Sequence, residues 1–194
     1  MRKKGLIFVV SAPSATGKTT VIKRFLEKHN RDFVISVSAT TRSPRKGEKD
    51  GKDYFFISRE KFREYIKKGK FLEYARVLDN YYGTLKETVV EPVNRGKNVI
   101  MDVDVRGARS IKRKIKGSVT IFLVPPSFRE LKNRLKKRKT ETKKDMKQRL
   151  ELAKKELKEK DKYDYIVINR EIGEAVNYME CVFKLEQFKK YEIK

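Results

Sequence analysis

Leu6-Ile7-Phe8-Val9-Val10-Ser11-Ala12-Pro13-Ser14-Ala15-Thr16-Gly17-Lys18-Thr19-Thr20 is an apolar run, a loop of small residues and the opening of a helical stretch. The order of those three parts decides the fold. Five consecutive apolar residues bounded by a turn read as a buried strand. Ser11 to Thr19 then follows the pattern G-x-x-x-x-G-K-[ST], with Ala12 in place of the first glycine, in the strand-to-helix setting that a phosphate loop requires. Backbone N–H groups of Ala12, Pro13, Ser14, Ala15, Thr16 and Gly17 (proline excepted) and the helix N-terminus, with Lys18, Thr19 and Thr20, form the expected triphosphate cradle. Lys18 would reach the β- and γ-phosphates, and the Thr19 hydroxyl would hold Mg²⁺. Alanine at position 12 is harmless only where the backbone avoids positive φ. Asn98-Val99-Ile100-Met101-Asp102 supplies a second buried strand, ending in a carboxylate placed to face the metal.

Outward from this loop, apolar runs recur at 6–10, 33–37, 99–103, 119–124 and 165–168, with helical stretches between them. Near-continuous Val/Ile/Leu/Phe runs alternating with helices predict a parallel sheet covered on both faces, a doubly wound α/β domain. Helices are expected at 19–29, at 85–95 before Gly96, and at 128–137 behind Pro125-Pro126-Ser127. Met146, Leu150, Ala153 and Leu157 form one apolar stripe of a further helix. The rhythm breaks from 39 to 84, where a Thr/Arg/Pro/Gly-rich loop, a short apolar run, a helix at 59–68 and a strand at 71–78 predict a small mixed α+β insert. The expected organisation is one domain over 1–194, its core being 1–38 and 85–194. His29 is expected to end the first helix on the surface, and Cys181 to fill space beside Val182 and Leu185 in the last helix.

Composition narrows the class further. The 194 residues include 50 Lys and Arg against 26 Asp and Glu, a formal charge of +24, with one His, one Cys and no Trp. One cysteine excludes an intrachain disulfide framework and fits a reducing cytosol. Met1-Arg2-Lys3-Lys4 and the apolar run after it resemble the start of a signal peptide, but the run is too short and leads into the phosphate loop. No stretch approaches the roughly 20 apolar residues of a membrane span. Such a charge attracts polyanions, whether nucleic acid, anionic membrane or phosphorylated small molecules, and composition does not choose among them. Residues 109–160 hold 20 Lys and Arg against 6 Asp and Glu, so the excess is concentrated there.

The insert bears on the second substrate. Thr40-Thr41-Arg42-Ser43-Pro44-Arg45-Lys46-Gly47-Glu48 sets two arginines three apart on a constrained loop, suited to bidentate phosphate recognition. Taken alone, such a pair in so basic a chain reads equally as a solvated loop. With Gly51-Lys52-Asp53-Tyr54, Phe71-Leu72-Glu73, Asn80-Tyr81-Tyr82-Gly83-Thr84 and Asp102-Val103-Asp104-x-x-Gly107, however, the ordered set resembles the guanylate kinase family from about Leu6 to Asn169. The resemblance implies ATP as phosphoryl donor, GMP as acceptor and Mg²⁺ as cofactor. It implies guanine recognition by Ser38, Glu73 and Thr84, and a GMP phosphate held by Arg42, Arg45, Tyr54 and Tyr82. Asp104 falls on the GMP side and Asp102 near the metal, and a mobile helical lid at about 126–150 brings Arg134, Arg138 and Arg149 over the ATP phosphates beside Lys18.

Residue chemistry agrees with that implication. Guanine presents N1–H and N2–H₂ side by side, so one carboxylate accepts both, while a hydroxyl donates to O6. The expected reaction is in-line transfer to an already ionised phosphate oxygen, giving GDP and, from dGMP, dGDP, without a strong general base. This belongs to cytoplasmic purine nucleotide metabolism and GMP recycling, with no specific nucleic acid or membrane partner, and leaves the oligomeric state open. The family pattern is broken at Ala15, where glycine is usual, at Arg106, where glutamine is common, and at Lys139, where glycine follows the lid arginine. A non-catalytic guanylate-kinase-like module that binds phosphopeptides is the alternative.

Overall fold

Strand β1 (Ile7–Ser11) leads through the small-residue loop into helix α1 (Lys18–His29), as the opening stretch requires. The computed structural model describes residues 4–77, 79–137 and 143–192. Elements then follow in the order β2 (Phe33–Ile35), β3 (Ser38–Thr40), β4 (Phe55–Phe56), α2 (Arg59–Lys67), β5 (Phe71–Val77), β6 (Asn80–Leu85) and α3 (Glu87–Asn94). After these come β7 (Asn98–Asp102), α4 (Val105–Lys114), β8 (Val119–Val124), α5 (Phe128–Lys137), α6 (Lys143–Leu157), β9 (Tyr165–Ile168) and α7 (Ile172–Glu192). One sheet has the order β2-β7-β1-β8-β9, with β2/β7 and β8/β9 parallel, and a second has the order β4-β3-β6-β5. The doubly wound α/β class expected from the apolar runs is therefore the class found. No described helix is long and apolar enough to cross a membrane.

Two compact units divide the chain, one of Asp32–Ser118 with Val9 and the residues before it, the other of Val10–Arg31 with Val119 and the residues after it. In the first, the expected strand at 33–37 proves to be two. Ser36 directs both its N–H (2.9 Å) and its hydroxyl (3.3 Å) to the Ile100 carbonyl, which ends β2, and the chain resumes as β3 in the second sheet. There β3 pairs antiparallel with β6, and β6 with β5, over a core of Ala39, Phe62, Phe71 and Leu85. Phe62 on α2 stacks on Phe71 with ring centroids 4.4 Å apart. Leu85, read as the start of a helix, is instead the buried end of β6, and α3 begins two residues later. Helix α4 had no counterpart in the sequence reading. Its N-cap is Asp104, which accepts the Gly107 N–H at 2.7 Å.

In the second unit, α5 and α6 share a core of Leu131, Leu135 and Ala153. Helix α7 buries Ala175, Val176, Met179, Val182 and Phe183. His29 is half-buried rather than superficial. Its ring lies 4.5 Å from that of Phe25, and it pairs with Glu180 at 3.1 Å. Cys181 and Leu185 are exposed, so they do not fill the interior as the sequence reading held.

Candidate active site

Three strands of the first unit place Ser38, Thr84 and Glu73 in one row. Register pairs Ser38 with Thr84 across β3/β6 and Glu73 with Thr84 across β5/β6, with an irregularity between Phe71 and Glu73. Directly opposed residues on one face lie within side-chain reach. The Thr84 hydroxyl donates to Glu73 Oε1 at 2.8 Å, the Thr84 N–H adds a second bond at 3.1 Å, and Ser38 Oγ stands 3.5 Å from the Thr84 hydroxyl. Glu73 is only 6% exposed. Burial raises its carboxyl above the usual carboxylate range; the Thr84 hydroxyl opposes the shift and the charge of Asp104 adds to it. Position 107 must be glycine, because a Cβ there would stand 2.9 Å from Glu73 Oε2. The Asp104-x-x-Gly107 spacing thus serves both the cap of α4 and the space around this carboxylate.

A second group in the same unit gathers on the loop after β3. Arg42 makes a two-pronged pair with Glu48, both bonds 2.9 Å long, and lies over the rings of Tyr54 (5.4 Å) and Phe56 (5.7 Å). Arg42 also interacts with Tyr82, whose ring meets that of Tyr54 edge-on at 6.1 Å. The Tyr54 hydroxyl is pushed up to about 12, chiefly by burial and then by the charges of Asp102 and Tyr82, so it remains a donor at neutral pH. Arg42 holds the Glu48 carboxyl below the usual range. Arg45 stands apart from this cluster; its side chain is exposed and its backbone N–H donates to Glu48 at 2.7 Å. Glu48 was quoted in the motif without a role. Its signal is position, since Pro44 and Gly47 turn the loop back and bring a carboxylate six residues later onto Arg42.

In the second unit the phosphate loop takes the form expected of it. Gly17, the residue before α1, has φ 92, and Ala15 has φ 65, the one non-glycine at positive φ among the described residues. Ala12 avoids that region, which answers the concern about its missing glycine. Thr19 and Thr20 are exposed at the start of α1. Arg149 donates to the Ser14 hydroxyl at 3.2 Å. Arg134 gives its donors to the backbone, with bonds to the carbonyls of Thr16 (3.2 Å), Asn169 (3.2 Å) and Arg170 (3.4 Å), and pairs with Glu130 at 3.0 Å. Arg138 and Lys139 lie outside the described residues. Asn169, which the sequence reading passed over, is 2% exposed and donates from its amide to the Thr16 carbonyl at 2.6 Å. Its signal was a polar residue closing the apolar run of β9.

Comparison with known proteins gives the same reading. A family model described as guanylate kinase matches residues 4–186. The chain is 45% identical to a guanylate kinase of Clostridium tetani over 192 residues, covering 99% of this chain and 91% of that protein. It is 46% identical to one of Clostridioides difficile over 187 residues, 96% of this chain and 91% of the other. The crystal structure of guanylate kinase from Anaplasma phagocytophilum superposes with a TM-score of 0.80 at 33% identity, covering 96% of this chain and 88% of that one. A match of this extent, in sequence and in fold, places the chain in the guanylate kinase family of enzymes.

Proposed function

We propose that the protein transfers the γ-phosphoryl group of ATP to GMP, and also to dGMP, giving ADP and the nucleoside diphosphate. The observation that carries this is the buried carboxylate of Glu73 in line with Thr84 and Ser38. Thr84 occupies part of the acceptor capacity of that carboxylate, and an ionised carboxylate has about four lone-pair sites, enough to accept guanine N1–H and N2–H₂ as well. Ser38 would donate to O6. Adenine offers a lone pair where guanine offers N1–H, and leaving buried polar groups unpaired rejects an analogue by about 10⁴-fold or more. Base and phosphate contacts assigned in this way leave the ribose 2′ position unread, which supports acceptance of dGMP.

The phosphate of GMP would be held by Arg42, Arg45, Tyr54 and Tyr82 on the insert at 39–84, with Asp104 on the same side. ATP would lie along residues 12–20, with Lys18 following the charge as it moves and Arg149 entering beside Ser14. Arg134, committed to backbone carbonyls, would act through the loop it holds. Arg138 completes the set on the lid proposed at about 126–150. Thr19 and Asp102 are oxygen donors, the class that Mg²⁺ takes, and the ion when bound neutralises charge on the β- and γ-oxygens. The attacking phosphate oxygen is already ionised, so the residues supply position and charge rather than a base. The reaction belongs to purine nucleotide metabolism and GMP recycling in the cytoplasm.

The test is coupled release of ADP with GMP, dGMP, AMP, UMP and CMP as acceptors, repeated with Lys18→Ala. GMP and dGMP should be turned over and the other three rejected, and Lys18→Ala should lower turnover by about 10³-fold. Preference for AMP, or absence of GMP turnover, overturns the reading; near-normal turnover by Lys18→Ala overturns the mechanism. ATP-independent binding of phosphopeptides would instead identify a non-catalytic module.

A further inference from the structure

Helix α7 has two apolar faces, and the fold uses one. Ala175, Val176, Met179, Val182 and Phe183 are buried, yet Tyr178 (55% exposed), Leu185 (44%) and Phe188 (57%) line another side together with exposed Cys181. Their spacing of three, four and three is the seam of a helix pair, whereas a helix lying on a domain needs a single stripe. The surface continues onto β9, the last strand of its sheet, where Ile166 and Ile168 are 45% and 44% exposed. These two residues, with Arg170, Glu174 and Tyr178, line an open groove of about 360 Å³.

Charge selects the occupant. In a chain of net charge +24, α7 carries four glutamates and three lysines. Glu174 and Glu180 lie in its first half, and Lys184, Lys189 and Lys190 in its second. A second copy laid antiparallel about a two-fold axis near Cys181 sets Tyr178 against Leu185 and the acidic end of one helix against the basic end of the other. Isologous pairing requires a surface complementary to itself in this way. Elsewhere two copies repel, and an anionic lipid surface would seek the basic elements rather than this one. We propose that α7, with the neighbouring edge of β9, is the surface through which two copies of the chain associate.

Sedimentation equilibrium over a series of protein concentrations tests this at an ionic strength of about 1 M, where the screening length is about 3 Å. The mass should rise with concentration towards twice 22.9 kDa. Leu185→Glu combined with Phe188→Glu, both at exposed positions, should hold it at one chain with an unchanged far-ultraviolet spectrum. Glu174→Lys should weaken association by about tenfold, the scale of a reversed interfacial charge. A wild-type mass of one chain throughout, or an undiminished dimer in the double variant, overturns the proposal. Monomeric wild type that co-sediments with phosphatidylglycerol vesicles would assign the face to lipid and overturn it equally.

Discussion

Ala15 sits at φ 65, a left-handed backbone that costs an L-residue about 1–2 kcal/mol. Its methyl group packs against the Leu131, Leu135 and Ala153 cluster of α5 and α6, which offsets part of that cost. Glycine there would relieve the strain but lose the methyl contact, at most about 0.8 kcal/mol, and free the unfolded chain by about 0.4–1 kcal/mol. Ala15→Gly should therefore leave stability within about 0.5 kcal/mol of wild type, whereas Ala12→Gly, buried and at ordinary φ, should cost about 1–2 kcal/mol by the same two losses. Urea unfolding midpoints at constant slope compare the two directly, and an equal loss at both positions would contradict strain at Ala15. Glu73 carries a pH signature of its own. Its folded pKa is raised above the unfolded value, so the folded state retains a proton that the unfolded chain has released; the associated stability is present below the unfolded pKa and lost as pH rises through the folded one. Guanine needs the ionised form, so kcat/KM for GMP should fall as pH drops through the raised value. Glu73→Gln should remove that limb and lower kcat/KM at neutral pH by about 10- to 100-fold, the scale of a lost hydrogen bond to a charged group. A wild-type limb persisting in the variant would show that another group titrates.

Elements formed by continuous signals were legible in the sequence. The apolar runs of β1, β7, β8 and β9 are each long enough to show, and the small-residue loop fixes where α1 begins. The elements that position the guanine row were not. β3 is three residues long and owes its existence to pairing with β6, and α4 is ten residues interrupted by Gly107, visible chiefly through its Asp104 cap. Motif spacing nevertheless located Ser38, Glu73 and Thr84, because each lies on a strand whose register puts it opposite the next. Asn169 escaped notice for the converse reason: its partner, the Thr16 carbonyl, is 153 residues away in sequence. That contact ties the end of β9 to the phosphate loop, and Arg134 of α5 reaches the same carbonyl. Asn169→Ala removes one bond to the carbonyl and leaves the other. Expected are a loss of about 1–2 kcal/mol in urea unfolding and a rise in KM for ATP with little change in KM for GMP. An equal rise in both would mean that the contact supports the domain at large rather than the loop.

At the scale of the whole molecule, +24 is more than the site uses. Part of the excess is structural: Lys112, Arg113 and Lys114 close the last turn of α4, where cations complement the helix dipole, and Lys114 also donates to the Leu72 carbonyl at 2.7 Å. Ion pairs such as Arg24–Glu27 and Arg95–Glu91 are exposed and link neighbouring turns of one helix, so each is worth well under about 1 kcal/mol. Most remaining cations therefore contribute mutual repulsion, which acts over a screening length of about 30 Å in 0.01 M salt and about 8 Å in 0.15 M. Adding sodium chloride across that range should raise the thermal midpoint, because the folded state holds these charges closer together than the unfolded one does. The same addition should lower kcat/KM for GMP, since the field that repels cations also draws anionic nucleotides inward. Repeating the melts at several protein concentrations separates screening from association through α7, because only association makes the midpoint depend on concentration. A midpoint that falls with salt at every concentration would mean that attractive pairs outweigh repulsion, and the cation excess would then be a source of stability rather than a cost borne for attracting phosphate.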